Sequence, residues 1–175
     1  MFRIHGVRSV SVDRMTKSLH ISRRKLYNLF ADKQALLEAC LDLHYAEEIA
    51  EFKQISEASD NQVDAMFQAW ERVLVRELQL SPNFYYDILH YYPELRAAAI
   101  ERHENFNRAG ATRSFQEMID QGLVRDQFRP AILAETMISF YESILDQRLF
   151  EKFPLPPRAF FREAMMPFWL GILTP

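Results

Sequence analysis

An all-α fold is predicted by three observations. Apolar residues recur at three- and four-residue steps along most of the chain, the spacing that gathers them on one side of a helix. Glycine is scarce, four in 175 residues, which argues against a sheet-rich fold with many tight turns. Ser, Asp and Pro stand where the periodic runs begin, and Gly122 stands where one ends, as helix termini require.

The first predicted unit spans Ser11 to Leu37. Ser11 is an N-cap candidate, with Asp13 in the first turn where a negative charge suits the helix dipole. Val12, Met15, Thr16 and Leu19 form the predicted inward face. His20-Ile21-Ser22 is then a turn, and His is one of the few non-glycine residues enriched at positive φ. Ser22 can cap a second short helix, whose Leu26, Leu29 and Phe30 form an apolar face. Arg23, Arg24, Lys25 and Asn28 lie elsewhere on that cylinder. Two short helices joined by a three- to four-residue turn make a helix-turn-helix. The second is about two turns long, a size the major groove of DNA admits, and arginine can pair with guanine edges or phosphate.

From Asp32, an N-cap candidate, a long helix is predicted to about Ser56. Leu36, Leu37, Cys40, Leu41, Tyr45, Ile49 and Phe52 mark its apolar side, and Glu47, Glu48 and Glu51 its polar side. Asp60 can cap a helix to about Leu80 carrying Val63, Met66, Phe67, Trp70, Val73, Leu74 and Leu78. Ser81-Pro82 restarts a helix. The stretch 84–93, FYYDILHYYP, holds five aromatics before Pro93. Tyrosine offers an apolar ring with a polar tip, so this density points to a ligand-lining wall beside ordinary core packing. The candidate effector-lining residues are Phe67, Trp70, Phe84, Tyr85, Tyr86, Leu89, Phe106 and Tyr141.

Pro93 to Gln121 reads as one long helix, with Gly110 a weak point inside it and Gly122 the C-cap. A further helix runs from Arg129 or Pro130 to Phe150, apolar over a wide arc and so buried on more than one side. After the Pro-rich 151–157, a final helix carries Phe160, Phe161, Ala164, Met165, Phe168, Trp169, Ile172 and Leu173. Pro167 should kink or split it. Paired with their counterparts in a second copy, the 130–150 and 157–174 helices would make a four-helix homodimer interface.

The formal net charge is −3, an unexpected sign for a nucleic-acid binder, but the distribution is uneven. Residues 1–33 hold eight Lys/Arg against two Asp/Glu, while residues 34–175 hold thirteen against twenty-two. This predicts a small basic head on a larger acidic body. The single Cys40 excludes an internal disulfide and fits a reducing, cytoplasmic compartment. No apolar run is long enough to span a membrane, and no signal peptide is evident.

Catalytic and metal sites are not expected. The five histidines show no HExxH spacing, and Asp87 with His90 forms only one i, i+3 pair. There is no Gly-rich phosphate loop and no G-x-S-x-G elbow. The carboxylates are assigned to polar helix faces.

The pattern resembles the TetR family of bacterial transcriptional regulators. The residues that carry the resemblance are Gly6, Val10-Ser11-Val12, Met15-Thr16, the turn His20-Ile21-Ser22, Leu26-Tyr27-Asn28-Leu29-Phe30 and Asp32-Lys33-Gln34-Ala35-Leu36-Leu37. The joint at 121–130, QGLVRDQFRP, is similar too. The resemblance implies a dimeric, all-helical regulator that binds double-stranded operator DNA and releases it when a small molecule binds, with no cofactor. It implies that Ser22, Arg23, Arg24 and Lys25 face DNA, and that Tyr27 and Lys33 contact phosphate; Ser11, at the start of the first short helix, is a further DNA-binding candidate. The expected organisation is a DNA-binding domain with its connecting helix at 1–52 and a ligand-binding and dimerisation domain at 53–175.

Thr16 and His20 replace the family's usual Ala and Gly. Only Met1 to His5 precede Gly6, where the family has a full first helix, so that helix reads as truncated to its last turn, with Phe2 as its final core aromatic. An incomplete or misassigned start is the favoured explanation. The rival reading is a helical small-molecule-binding or protein-interaction module that has lost DNA binding. An all-helical enzyme is a third reading, without a catalytic constellation to support it.

Overall fold

The computed structural model describes all residues except 96, 97, 99, 147, 148 and 175, and the side chains of 145, 146, 149 and 150 are likewise not described. The described residues form helices α1 (Phe2–His5), α2 (Val12–Ser18), α3 (Arg23–Leu29), α4 (Lys33–Ala58), α5 (Gln62–Glu77), α6 (Asn83–Tyr91), α7 (Pro93–Leu95), α8 (Glu101–Asp120), α9 (Pro130–Asp146) and α10 (Pro157–Ile172), with a 3-10 turn at Leu149–Lys152. No strand is found among them, only an isolated antiparallel bridge between Val124 and Leu173. The fold is all-α, with an N-terminal helix-turn-helix.

The helix ends form as the sequence predicts at several places. The Ser11 hydroxyl accepts from the Arg14 amide at 3.1 Å, and the Ser22 hydroxyl from the Lys25 amide at 3.1 Å. His20 takes φ 53° in the turn between them. The Asp32 carboxylate accepts from the Ala35 amide at 2.8 Å at the start of α4. Gly122 has φ 70° at the end of α8, and the Leu123 amide reaches back to the Met118 carbonyl at 2.9 Å, closing the helix as a Schellman-type cap does.

Other expectations are corrected. The cap of α5 is Asn61, not Asp60: its side-chain oxygen accepts from the Val63 and Asp64 amides, because it stands one residue before the first helical position. The helix expected over 93–121 is observed as α7 and α8, and residues 96, 97 and 99 lie outside the described residues. The helix expected to reach Phe150 is helical to Asp146, with 147 and 148 outside the described residues. Pro167 does not split α10. Pro167 and Glu163 are both exposed, so water can satisfy the carbonyl that the missing proline N–H leaves free.

The chain divides into two compact units, Met1–Ala50 with Gln79–His103, and Glu51–Leu78 with Glu104–Pro175. The core of the first joins Phe2, Val7, Val10, Met15, Leu26, Leu37, Leu41, Phe84, Ile88 and Leu95. The aromatic stretch 84–93 thus packs with the helix-turn-helix in one unit. The core of the second is richer in aromatic and methionine side chains, among them Trp70, Phe115, Met118, Met137, Phe161, Met165 and Trp169.

Among the described residues, three carboxylates assigned to polar faces are buried: Glu48, Glu71 and Asp87. Each has a partner, as a buried charge requires. Glu48 meets His103 Nε2 at 3.2 Å, and the His103 ring stacks on Tyr45 at 3.8 Å between centroids. Glu71 accepts from Arg162 at 2.7 Å and pairs with Arg158 at 3.0 Å. Conversely Ile49, expected inside, is exposed. Leu19 and Leu29, also expected inside, are exposed. Leu19 is the C-cap of α2 and Leu29 the last residue of α3, so both lie where the chain leaves the core.

Candidate nucleic-acid interface

The helix-turn-helix sorts its cations into free and tied groups. Arg24 and Lys25 sit in the first turn of α3, exposed, with no side-chain partner among the described residues. Tyr27 is exposed on the same helix. The Ser22 and Ser11 oxygens are occupied as N-cap acceptors, but each hydroxyl keeps its proton for a further acceptor. Arg23 is different. Its guanidinium forms a two-pronged pair with the Asp13 carboxylate of α2, and that hydrogen bond raises its pKa above the ordinary arginine value. Both partners are more than half exposed, so the pair is weak and exchangeable.

Two cations absent from the sequence expectation join the surface. Arg14 and Lys17 are exposed on α2, opposite the buried Met15 and Thr16. Their i, i+3 spacing was the available signal. In a helix-turn-helix the first helix crosses the DNA backbone, where such charges serve.

Lys33 is tied most firmly. Its Nζ donates to the Val7 carbonyl at 2.7 Å and lies 5.7 Å from the Phe2 ring centre. Burial pushes its pKa below the ordinary lysine value, opposed by the charge of Asp87. Asp87 in turn accepts from the Arg8 amide at 2.8 Å. The Arg8 guanidinium donates to the Tyr91 hydroxyl at 2.8 Å and sits 4.5 Å above that ring. The Ser81 amide adds a bond to the Arg3 carbonyl at 2.6 Å. Helix α6 is thereby pinned to the segment preceding the helix-turn-helix. Burial also raises the Cys40 thiol pKa.

The candidate effector-lining residues fall in both units. In the first, Phe84 is fully buried and Tyr85 packs on the same core, while Tyr86 and Leu89 are exposed. His90 stacks on Tyr86 at 5.6 Å. In the second, Trp70 and Tyr141 meet edge to face at 4.9 Å. Phe161 joins Tyr141 at 6.3 Å and Phe67 at 5.6 Å. Phe106 is exposed and not part of that cluster. Phe161 links Phe67 to Tyr141, a role that its place in the apolar stripe of the final helix does not by itself announce. No described helix is long and apolar enough to cross a membrane.

No family model matches the sequence, and no curated protein matches it. Solved structures do match. The reduced form of NemR from E. coli superposes with a TM-score of 0.80 at 14% identity, covering 99% of this chain and 93% of that one. A TetR-family regulator from Cytophaga hutchinsonii gives 0.79 at 16% identity, covering 99% and 90%. Another from Pectobacterium atrosepticum gives 0.65 at 22% identity, covering 99% and 89%. The likeness runs through the helix-turn-helix and the helical body alike, and the chain has the fold of the TetR-family transcriptional regulators.

Proposed function

We propose that this chain is a ligand-responsive transcriptional regulator that binds operator DNA as a homodimer and represses until a small molecule releases it. The observation that carries the reading is the first turn of α3: two exposed cations, Arg24 and Lys25, unpaired among the described residues, on a capped two-turn helix of a helix-turn-helix. Arg24 reads a guanine edge or phosphate, and Lys25 a phosphate. Ser11, Ser22 and Tyr27 add neutral contacts to the backbone. Arg14 and Lys17 extend the phosphate-binding surface, and Arg23 joins it by exchanging Asp13 for phosphate.

Dimerisation through α9 and α10 is supported by apolar residues left exposed there, Ile132, Phe140, Met166 and Leu170. Such a patch calls for a partner surface, and two copies would place recognition helices about 34–36 Å apart on the duplex. The cluster of Phe67, Trp70, Tyr141 and Phe161 supports the second unit as the place of an apolar, aromatic effector. An effector shifts the dimer only by binding its two conformations unequally, with a coupling of about 1–3 kcal/mol. α4, which begins in one unit and ends in the other, is the proposed lever between effector and head. The site of action is the cytoplasm, where the DNA lies.

The test is operator binding by Arg24→Ala with Lys25→Ala, on a duplex selected from a randomised pool by the unmodified chain. Affinity should fall, and the slope of log affinity against log salt should flatten by about 1 for each phosphate no longer neutralised. Helicity and dimer mass should stay unchanged. Unaltered affinity and slope would remove α3 from the interface.

A further inference from the structure

Lys33 and Asp87 hold the two ends of one peptide group. The Val7 carbonyl accepts from Lys33 Nζ at 2.7 Å, and the amide on the other side of the same bond, that of Arg8, donates to Asp87 Oδ2 at 2.8 Å. An ammonium faces the negative end of the peptide dipole and a carboxylate faces its positive end. Asp87 is buried and Lys33 half-buried, so the attraction acts in a medium less screening than water. Bonds of this charged kind are roughly twice as strong as neutral ones.

The surroundings are built for this grip. Gly6 takes φ 78° and ψ 161°, a region essentially reserved for glycine. A Cβ there would stand 3.2 Å from Asn83 Cβ and 3.2 Å from Asp87 Oδ2. Arg8 then reaches Tyr91 with both a hydrogen bond and its cationic face. Asn83, Asp87 and Tyr91 follow one another at four-residue steps, so residues 6–8 lie along a single stripe of α6. Lys33 is the first residue of α4. One peptide thus joins the middle of α6 to the start of the helix that follows the helix-turn-helix.

We propose that Lys33 and Asp87 are positioning residues for DNA binding: by gripping the Val7–Arg8 peptide from both sides, they fix how α6 seats the helix-turn-helix. Lys33 therefore acts through the fold and not as a phosphate contact. This rests on the DNA-binding reading above, but the grip has a readout of its own.

The experiment compares the unmodified chain with Lys33→Met, Asp87→Asn, Asp87→Ala and the Lys33→Met/Asp87→Asn pair. Amide hydrogen exchange at Arg8 reads the grip without DNA. It should quicken by about tenfold or more in Asp87→Ala, the loss expected for one charged hydrogen bond, and by less in Asp87→Asn, which keeps an acceptor. Binding to the selected duplex reads the consequence. Both single variants should weaken affinity by a similar factor at every salt concentration, leave the salt slope unchanged, and combine to less than the product of their separate effects. If Asp87→Ala does not fold, Asp87→Asn, which preserves volume, decides. A slope flattened by about 1 in Lys33→Met, with Arg8 exchange unchanged, would make Lys33 a phosphate contact and overturn the proposal. Unchanged Arg8 exchange and affinity in the Asp87 variants would overturn it as well. If the unmodified chain selects no duplex, the regulator reading fails, while Arg8 exchange still accepts or rejects the grip.

Discussion

The two compact units are held together by different chemistry. The unit of residues 51–78 and 104–175 rests on interlocked aromatic and methionine side chains: Phe115 stacks on Trp169 at 5.8 Å, and Phe161 lies against Phe67 and Tyr141. The unit of residues 1–50 and 79–103 has fewer large rings in its core and more polar pins onto backbone. Lys33 grips Val7, Asp87 grips Arg8, and the Ser81 amide grips the Arg3 carbonyl. A volume-packed core resists any loss of bulk. A pinned unit depends on a few directional bonds, each of which a conformational change can make or break. Under the proposed DNA-binding function, such bonds would set the orientation of the helix-turn-helix.

Substitutions can break this contrast. Phe115 is fully buried, so Phe115→Ala should cost about 3–5 kcal/mol of stability, through the apolar burial it removes and the cavity it leaves. Urea denaturation measures it, and a loss below about 0.5 kcal/mol, within the range of ordinary surface change, would mean the rings are not what holds that unit. Gly6→Ala adds a methyl where only glycine is comfortable, and about 1–3 kcal/mol is expected from backbone strain alone. A neutral result would show that the Gly6 turn relaxes freely and that the pins do not fix the segment. Ser22→Ala removes the cap of α3 and should cost about 0.5–2 kcal/mol, seen as faster amide exchange at Lys25. An unaltered Lys25 amide would show that another acceptor replaces the hydroxyl.

The helix-turn-helix was legible in the sequence because its signals are local. Ser11, Ser22 and Asp32 cap the helices they immediately precede, and His20 takes the positive φ that the turn demands. Such bonds span three residues, so no distant partner is needed to foresee them. Gly122 was legible for the same reason. The cap of α5 missed by one residue, since Asp60 and Asn61 are both competent and only the backbone selects between them.

The cation surface was legible in part. Arg24 and Lys25 are exposed as expected, but the Arg23–Asp13 pair and the Lys33–Val7 bond join residues ten and twenty-six positions apart. Residue type announces a charge without announcing its partner. Buried acids were illegible for the same reason. Glu48 reads as surface until His103 arrives from 55 positions further along the chain.

By itself, then, the sequence determined an all-α chain, its helix caps, its turn at His20 and a basic segment on a two-turn helix, because periodicity, capping and local charge act within a few residues. Tertiary structure decided that α6 belongs with the helix-turn-helix, that Asp87 and Lys33 share one peptide, and which cations stay free. Those outcomes depend on which surfaces meet, and burial gives a charge its partner only once the chain has folded.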